Sequence, residues 1–255
     1  MGFKKALAIG GVVAASAVTF AGCGSGGDKG DEVTVKLGVV GAVYEDLWKP
    51  AQDKLKDEGI NLEIVQFSDY VTPNNALNNG DIDLNAFQHE IYLNTEVQQY
   101  NYAIEPAGYT FIIPLNLYSN KVKSVDEIKD GDTIAIPDDL TNGGRALKVL
   151  AAAGLIELKS DASFSPTLDD IAKYNKQITI KELKANTSPT TLDDVTAGII
   201  NGNYALDFGL KTDDAIFKDT SVNEEKYWNL VAARTSDLQD ESKKEIFTKV
   251  IKAFQ

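Results

Sequence analysis

The hydrophobic positions follow two rhythms. Val33 to Val40 (VTVKLGVV) is rich in β-branched residues and predicts a strand. Tyr44 to Asp57 then places Leu47, Trp48, Ala51 and Leu55 at helical spacing, and Gly59 stops it. Asn61 to Phe67 (NLEIVQF) predicts a second strand. Strand, helix and strand in succession make a βαβ unit, so a parallel sheet with a right-handed crossover is expected. A short helix over 74–79, a strand over 82–86 and a helix over 91–100 follow. Gly108 to Leu117 is β-rich, Thr133 to Ile136 and Thr179 to Leu183 read as strands, and Thr141 to Ala153 reads as a helix ending at Gly154. Tyr204 to Asp207 and Trp228 to Ala233 are further expected strands. Lys243 to Phe254 gathers Ile246, Phe247, Val250, Ile251 and Phe254 on one side of a helix, and the pattern is still helical at Gln255. Two near-identical starts, Thr167-Leu168-Asp169-Asp170 and Thr191-Leu192-Asp193-Asp194, each fit a Thr cap with an acid three residues on. Both read as helix N-termini with no role beyond capping. The alternation of strands and helices over about 220 residues suggests two α/β lobes rather than one sheet. The stretches near 105–118 and 204–235 are the expected crossings between them.

The first 22 residues break this rhythm. Lys4 and Lys5 precede an uncharged, mostly apolar run from Ala6 to Ala21, and Ala21-Gly22 lead directly into Cys23. The run falls short of the roughly 20 apolar residues of a spanning helix, so a secretory signal fits. Gly24 to Asp31 holds no large apolar residue and reads as a flexible tether. The uncharged run from Pro106 to Asn120 is interrupted by Pro114 and Asn116 and does not fit a membrane span. The expected organisation is a signal at 1–22, Cys23 and a tether to 32, and a domain at 33–255. Its first lobe would take about 33–108 plus 205–255, and its second about 109–204.

Composition narrows the chemistry. With 255 residues, 43% of them hydrophobic, the chain can bury a sizeable core and is no disordered tail. A net charge of −13 makes nucleic acid a poor partner, since phosphates require a basic patch. One Cys excludes an internal disulfide and any cysteine-rich zinc site, and one His excludes most histidine-based metal centres. A metal at Asp81, Asp83, His89 and Glu90 is conceivable, but alternating acids read more simply as solvated turn residues. No nucleophile–base pair stands out, so neither an enzyme nor a resident cofactor or metal is expected.

Two segments carry candidate binding chemistry. Only two arginines exist, Arg145 and Arg234. Arg145 follows Thr141-Asn142-Gly143-Gly144 at the start of an apolar helix. Free N–H groups at a helix start, two glycines for close approach and a guanidinium together suit a small carboxylate. An arginine in a first helical turn is more often simply a solvated surface residue. The second segment is Phe87-Gln88-His89-Glu90-Ile91-Tyr92, with Tyr70 upstream, at a strand-to-helix junction where α/β ligands usually bind. A lone His is more often structural.

These residues carry a resemblance. Asp69-Tyr70-Val71-Thr72-Pro73-Asn74, Gly80-Asp81-Ile82-Asp83, Asn85-Ala86-Phe87-Gln88-His89, Asn142-Gly143-Gly144-Arg145-Ala146-Leu147 and Asn201-Gly202-Asn203-Tyr204-Ala205 resemble the signature of the methionine-binding, NlpA-type lipoproteins, the substrate-binding components of ABC importers. Ala21-Gly22-Cys23 likewise resembles a lipobox, with Phe20 where an aliphatic residue is usual. The resemblance implies an α/β, two-lobed, type II-like periplasmic-binding-protein fold with the ligand in the cleft. It implies a side-chain pocket of Tyr70, Phe87, His89 and Tyr92, with Asn142 and Arg145 at the ligand carboxylate and Asn203 at the head group. It further implies lipidation (palmitate) at Cys23, anchorage at the extracytoplasmic face of the cell membrane, and an ABC transporter permease as partner. The implied cargo is methionine or a similar amino acid. Alternatives are another small amino acid, a methionine-containing dipeptide, or a surface interaction lipoprotein with a vestigial cleft. The sequence departs from the pattern at Ile91, at Pro114-Leu115-Asn116-Leu117, and at Phe208, whose bulk is expected to narrow the cleft.

Overall fold

The apolar alternation of β1 (Val33–Val40) buries Val35, Leu37 and Val39, and Gly41 turns the chain at once into α1 (Ala42–Lys56). That helix turns Tyr44, Trp48, Ala51 and Leu55 inward, three or four residues apart, so one stripe covers the sheet. β2 (Ile60–Phe67) returns parallel to β1 along its whole length, from Val33 opposite Ile60 to Val40 opposite Phe67. The βαβ unit read from the sequence is present. This computed structural model describes residues 32–255; the signal-like segment, Cys23 and most of the expected tether lie outside the described residues.

α2 (Thr72–Asn79) leads through Gly80 to β3 (Leu84–His89), which is buried at every position and parallel to β1. α3 (Glu90–Tyr100) follows directly, and His89 caps it by accepting the Tyr92 backbone N–H on Nδ1 at 3.2 Å. β4 (Ile104–Tyr109) and the late β11 (Asn229–Arg234) complete this sheet in the order β2-β1-β3-β11-β4, with β11 antiparallel to both neighbours. α6 (Thr235–Gln239) and α7 (Glu241–Phe254) follow β11. Phe247, Val250 and Ile251 of α7 join Leu37, Trp48 and Leu55 in one core.

A second sheet has the order β5-β10-β6-β9, built from β5 (Leu115–Tyr118), β6 (Thr133–Pro137), β9 (Thr179–Leu183) and β10 (Ala197–Asn201). α4 (Leu140–Ala152) packs on it through Ala146, Leu147, Val149 and Leu150 against Leu117, Ile134 and Ile199. A small hairpin of β7 (Ile156–Leu158) and β8 (Ile171–Tyr174) adjoins α4. The chain is thus an α/β protein of two lobes. A third apolar cluster bridges them, with Val40, Phe87 and Tyr92 from one side and Tyr118, Ile200 and Ala205 from the other.

Several local expectations are corrected. Tyr204 to Asp207 is no strand but part of α5 (Gly202–Asp207); four residues are too few to tell a period of 2 from one of 3.6. Thr167 opens only a single 3₁₀ turn, Leu168–Asp170, where the Asp170 carboxylate accepts the Thr167 N–H at 2.8 Å. Thr191 ends a 3₁₀ turn at Pro189–Thr191 rather than starting a helix, because the chain proceeds into β10. The β-rich stretch at 108–117 splits between the two sheets. Residues 110–114 cross from one to the other, tied to β11 by Thr110 N–H to Asn229 O at 2.8 Å and Asn229 N–H to Phe111 O at 2.7 Å.

Candidate functional site

The C-terminal end of β3 and the first turn of α1 face α5 and the start of α4 across a cavity of about 30 Å³. All seven binding residues expected from the sequence line it: Tyr70, Phe87, His89 and Tyr92 from the first lobe, Asn142, Arg145 and Asn203 from the second. Tyr44, Gln88, Ile113, Asn201 and Asn229 are among further lining residues that sequence reasoning missed. Tyr44 lies in the first turn of α1 and the others at a strand end or in a crossing, where their role depends on the partner lobe, so the local pattern gave no sign of it.

One wall is aromatic. Tyr70 stacks on Phe87 at 5.8 Å between ring centres, and Tyr92 meets both rings edge-on at 6.1 Å. The phenol oxygens are tied down: Tyr92 donates to Tyr70 O at 3.0 Å, and Tyr70 donates across the cleft to Asn203 Oδ1 at 2.5 Å. Burial raises the Tyr70 phenol well above its ordinary value, so it stays a neutral donor.

His89 is also neutral. Burial, then the nearby Arg145 charge, pushes its pKa down to about 3. Because Nδ1 accepts the Tyr92 N–H, the proton sits on Nε2, which donates to Asn142 Oδ1 at 3.3 Å. Asn142 in turn donates from Nδ2 to the Asp139 carboxylate at 3.0 and 3.2 Å. Asp139 itself caps α4 by accepting the Asn142 backbone N–H at 2.8 Å. Burial raises Asp139 above its usual range despite these donors.

The other wall is cationic, and its charge is already matched. Arg145, only 3% exposed, donates from Nη2 to the Asp219 carboxylate and to Ile113 O, and from Nε to Ser221 Oγ. Its guanidinium also lies 4.4 Å from the centre of the Tyr227 ring. Asp219 is held in turn by the Leu115 N–H, the Ser221 N–H and the Ser221 hydroxyl. Among the described residues, Nη1 of Arg145 has no hydrogen-bond partner, which leaves one donor edge for a ligand. Neither Asp219 nor Ser221 stands in a patterned segment, so nothing in the sequence marked them.

Two readings of the α4 start change. The helix N-terminus already holds a carboxylate of its own, since Asp139 accepts the Asn142 N–H there. The glycines do not serve close approach to a ligand. A Cβ on Gly143 would meet Pro137 O at 2.9 Å, and one on Gly144 would meet Ser165 Cα at 2.8 Å, so both allow backbone packing.

A profile of the NlpA lipoproteins matches residues 35–255. The chain belongs to the NlpA lipoprotein family. It is 39% identical to outer membrane lipoprotein 3 of Mannheimia haemolytica, covering 98% of this chain and 92% of that one. It is 38% identical to the D-methionine-binding lipoprotein MetQ of Escherichia coli K12, covering 99% and 91%. Among solved structures it is similar to the methionine binding protein MetQ, with a TM-score of 0.82 and 38% identity over 88% and 91% of the two chains. It is also similar to a nutrient binding protein from Burkholderia cenocepacia bound to methionine, with a TM-score of 0.80 and 38% identity over 87% and 91%.

Against the rest of this NlpA-family cleft, two expectations fall away. Phe208 is 52% exposed and does not line the cavity, so it does not narrow it; it follows α5 on the outer side, and its backbone N–H closes the helix onto Tyr204 O. Asn116 is buried but acts behind the cavity, where its Oδ1 accepts the Asp219 N–H at 2.9 Å. The conceivable metal set is not gathered: Asp83 pairs with Arg234, while His89 lies in the cleft. No cluster of three metal-ligating side chains occurs among the described residues.

Proposed function

We propose that this protein is the lipid-anchored substrate-binding component of an ABC uptake transporter, and that its cargo is methionine. Arg145 is the observation that carries the reading. It is a buried arginine with one donor edge unused, placed opposite an aromatic wall in a cavity between the two lobes, where small ligands usually bind. A ligand carboxylate takes that edge in a charge-assisted pair. The thioether then lies against Tyr70, Phe87 and Tyr92, where sulfur–aromatic contacts contribute about 0.3–1.5 kcal/mol each. His89 and Asn142 fix the pocket floor. The amide oxygens of Asn203 and Asn229 supply acceptors for the ammonium. The relatives named D-methionine-binding lipoprotein, and the neighbour bound to methionine, support this cargo.

Capture follows from closure. A ligand that contacts both walls stabilises the state in which they are near, so the two lobes shut about the crossings. The bonding of Ile216 and Phe217 to Leu117 of β5 favours lobes of about 33–109 with 229–255, and about 115–217. That keeps both crossings within the stretches expected from sequence and moves the second beyond 205. A lipid on Cys23 then holds the domain at the outer face of the cell membrane, beside the permease.

Native mass spectrometry of the purified mature chain tests the reading. A bound mass equal to methionine, lost on partial unfolding and restored by added L- or D-methionine, is the expected result. A chain that is empty and ignores both enantiomers would refute it.

A further inference from the structure

α1 begins without a cap of its own. Its first residue, Ala42, follows Gly41, which has no side chain to accept the exposed amides. The acceptor arrives from 165 residues away. Asp207 Oδ2 accepts the Ala42 N–H at 3.1 Å, and Oδ1 accepts the Val43 N–H at 2.8 Å. Gly41 is shaped for this contact: its φ is 89°, and a Cβ there would lie 2.0 Å from Asp207 Oδ2. The carboxylate also lies at the positive end of a 15-residue helix.

Asp207 belongs to the opposite lobe. α5 leaves β10 of the second sheet, and the chain beyond it returns to β5 of that sheet through Ile216 and Phe217. One side of α5 therefore reaches across: Asn203 donates to Val40 O at 3.3 Å, Tyr204 donates to Ser68 O at 3.3 Å, and Asp207 caps α1. Asn203 lines the cavity, whereas Asp207 does not.

We infer that Asp207 is a positioning residue, a latch that caps α1 only when the lobes are closed and so sets the lifetime of the closed complex without touching the cargo. Opening the cleft withdraws α5 and leaves the Ala42 and Val43 amides to water. The latch thus adds to closed-state stability what a side-chain cap adds to a helix. This inference rests on the methionine-capture reading.

The test uses the full mature chain in detergent, with L-methionine as probe, as wild type, D207A and D207N. In the wild type, hydrogen exchange at Ala42 and Val43 should slow when methionine is added. D207A should raise the methionine dissociation rate about 2- to 30-fold, the range spanned by loss of an N-cap, with the association rate within about twofold. D207N keeps a neutral acceptor and should fall between. A cap present in both open and closed forms would instead lower the ligand-free melting temperature and leave dissociation unchanged. That result, or amides equally protected without methionine, overturns the latch while methionine capture stands. A wild-type chain that binds no methionine overturns the capture reading, and the latch with it.

Discussion

The two arginines of this chain sit in similar company and do different things. Arg234 has both terminal nitrogens engaged. Its Nη1 donates to Leu77 O at 2.8 Å and Ile82 O at 2.5 Å, and its Nη2 meets Asp83 at 3.3 Å and Asp237 at 2.5 Å. Every partner belongs to the first lobe, so Arg234 fastens the α2–β3 turn to β11 and α6. Arg145 also has a buried carboxylate, yet one edge of its guanidinium is left over and it lies on a cavity wall. The lesson concerns the second partner. Arg234 is closed off by backbone carbonyls on its free edge, and Arg145 is not. A pre-paired arginine still attracts a carboxylate, because a guanidinium has five donors and a single carboxylate accepts only two of them in its fork. The pairing also avoids an uncompensated buried charge when the cleft is empty.

Removing each arginine breaks the comparison most sharply. R145A should weaken methionine binding by about 2–5 kcal/mol in calorimetry, because the ligand carboxylate loses its partner. R234A should leave affinity within about twofold and instead lower stability by roughly 1–3 kcal/mol, through unsatisfied carbonyls and carboxylates. Equal affinity losses in the two variants would mean that the cavity is not the site. D219N sharpens the point. It leaves the Arg145 charge short of one partner, so the ligand-free melting temperature should fall by about 4–8 °C for a loss near 2 kcal/mol. Added methionine should raise that temperature more than it does in the wild type, since the ligand now supplies the missing charge; an equal or smaller rise would contradict this.

A smaller effect separates two groups of the first lobe by pH. His89 is held near 3 in the fold against an ordinary 6.5, so the unfolded chain takes up its proton first as pH falls below 6.5. Its contribution is complete above 6.5 and is withdrawn on acidification. Glu96, on α3, behaves oppositely. Burial, and then nearby Asp139, raises its carboxyl from 4.5 to about 7, and its Oε2 has no hydrogen-bond partner among the described residues. The folded chain therefore keeps a proton that the unfolded chain releases, and this contribution is complete below 4.5 and lost as pH rises towards 7. The two slopes oppose each other between 4.5 and 6.5. E96Q removes one of them, so urea midpoints of E96Q should fall from pH 6.5 to 4.5 more steeply than those of the wild type. Parallel curves would show that Glu96 does not titrate in this window. The smallest expected effect is F208A, which should leave methionine affinity unchanged by calorimetry, since the ring lies outside the cavity.

The sequence by itself determined what local periodicity and motif chemistry can carry. The strand–helix–strand rhythm of 33–67, the amphipathic last helix and the α/β class follow from spacing, because burying one stripe or one face is a local demand. Seven of the cavity residues were legible through the family resemblance carried by the motifs around Tyr70, Phe87–Tyr92, Asn142–Arg145 and Asn203. Short segments were not legible: YALD became a helix, and Thr191 opened none, since four residues fit either period. The tertiary structure alone decided how each arginine is paired. Asp219 and Asp207 act on Arg145 and α1 from 74 and 165 residues away. A side chain's partner across a cleft is fixed by how two sheets meet, and no pattern within either segment encodes that meeting.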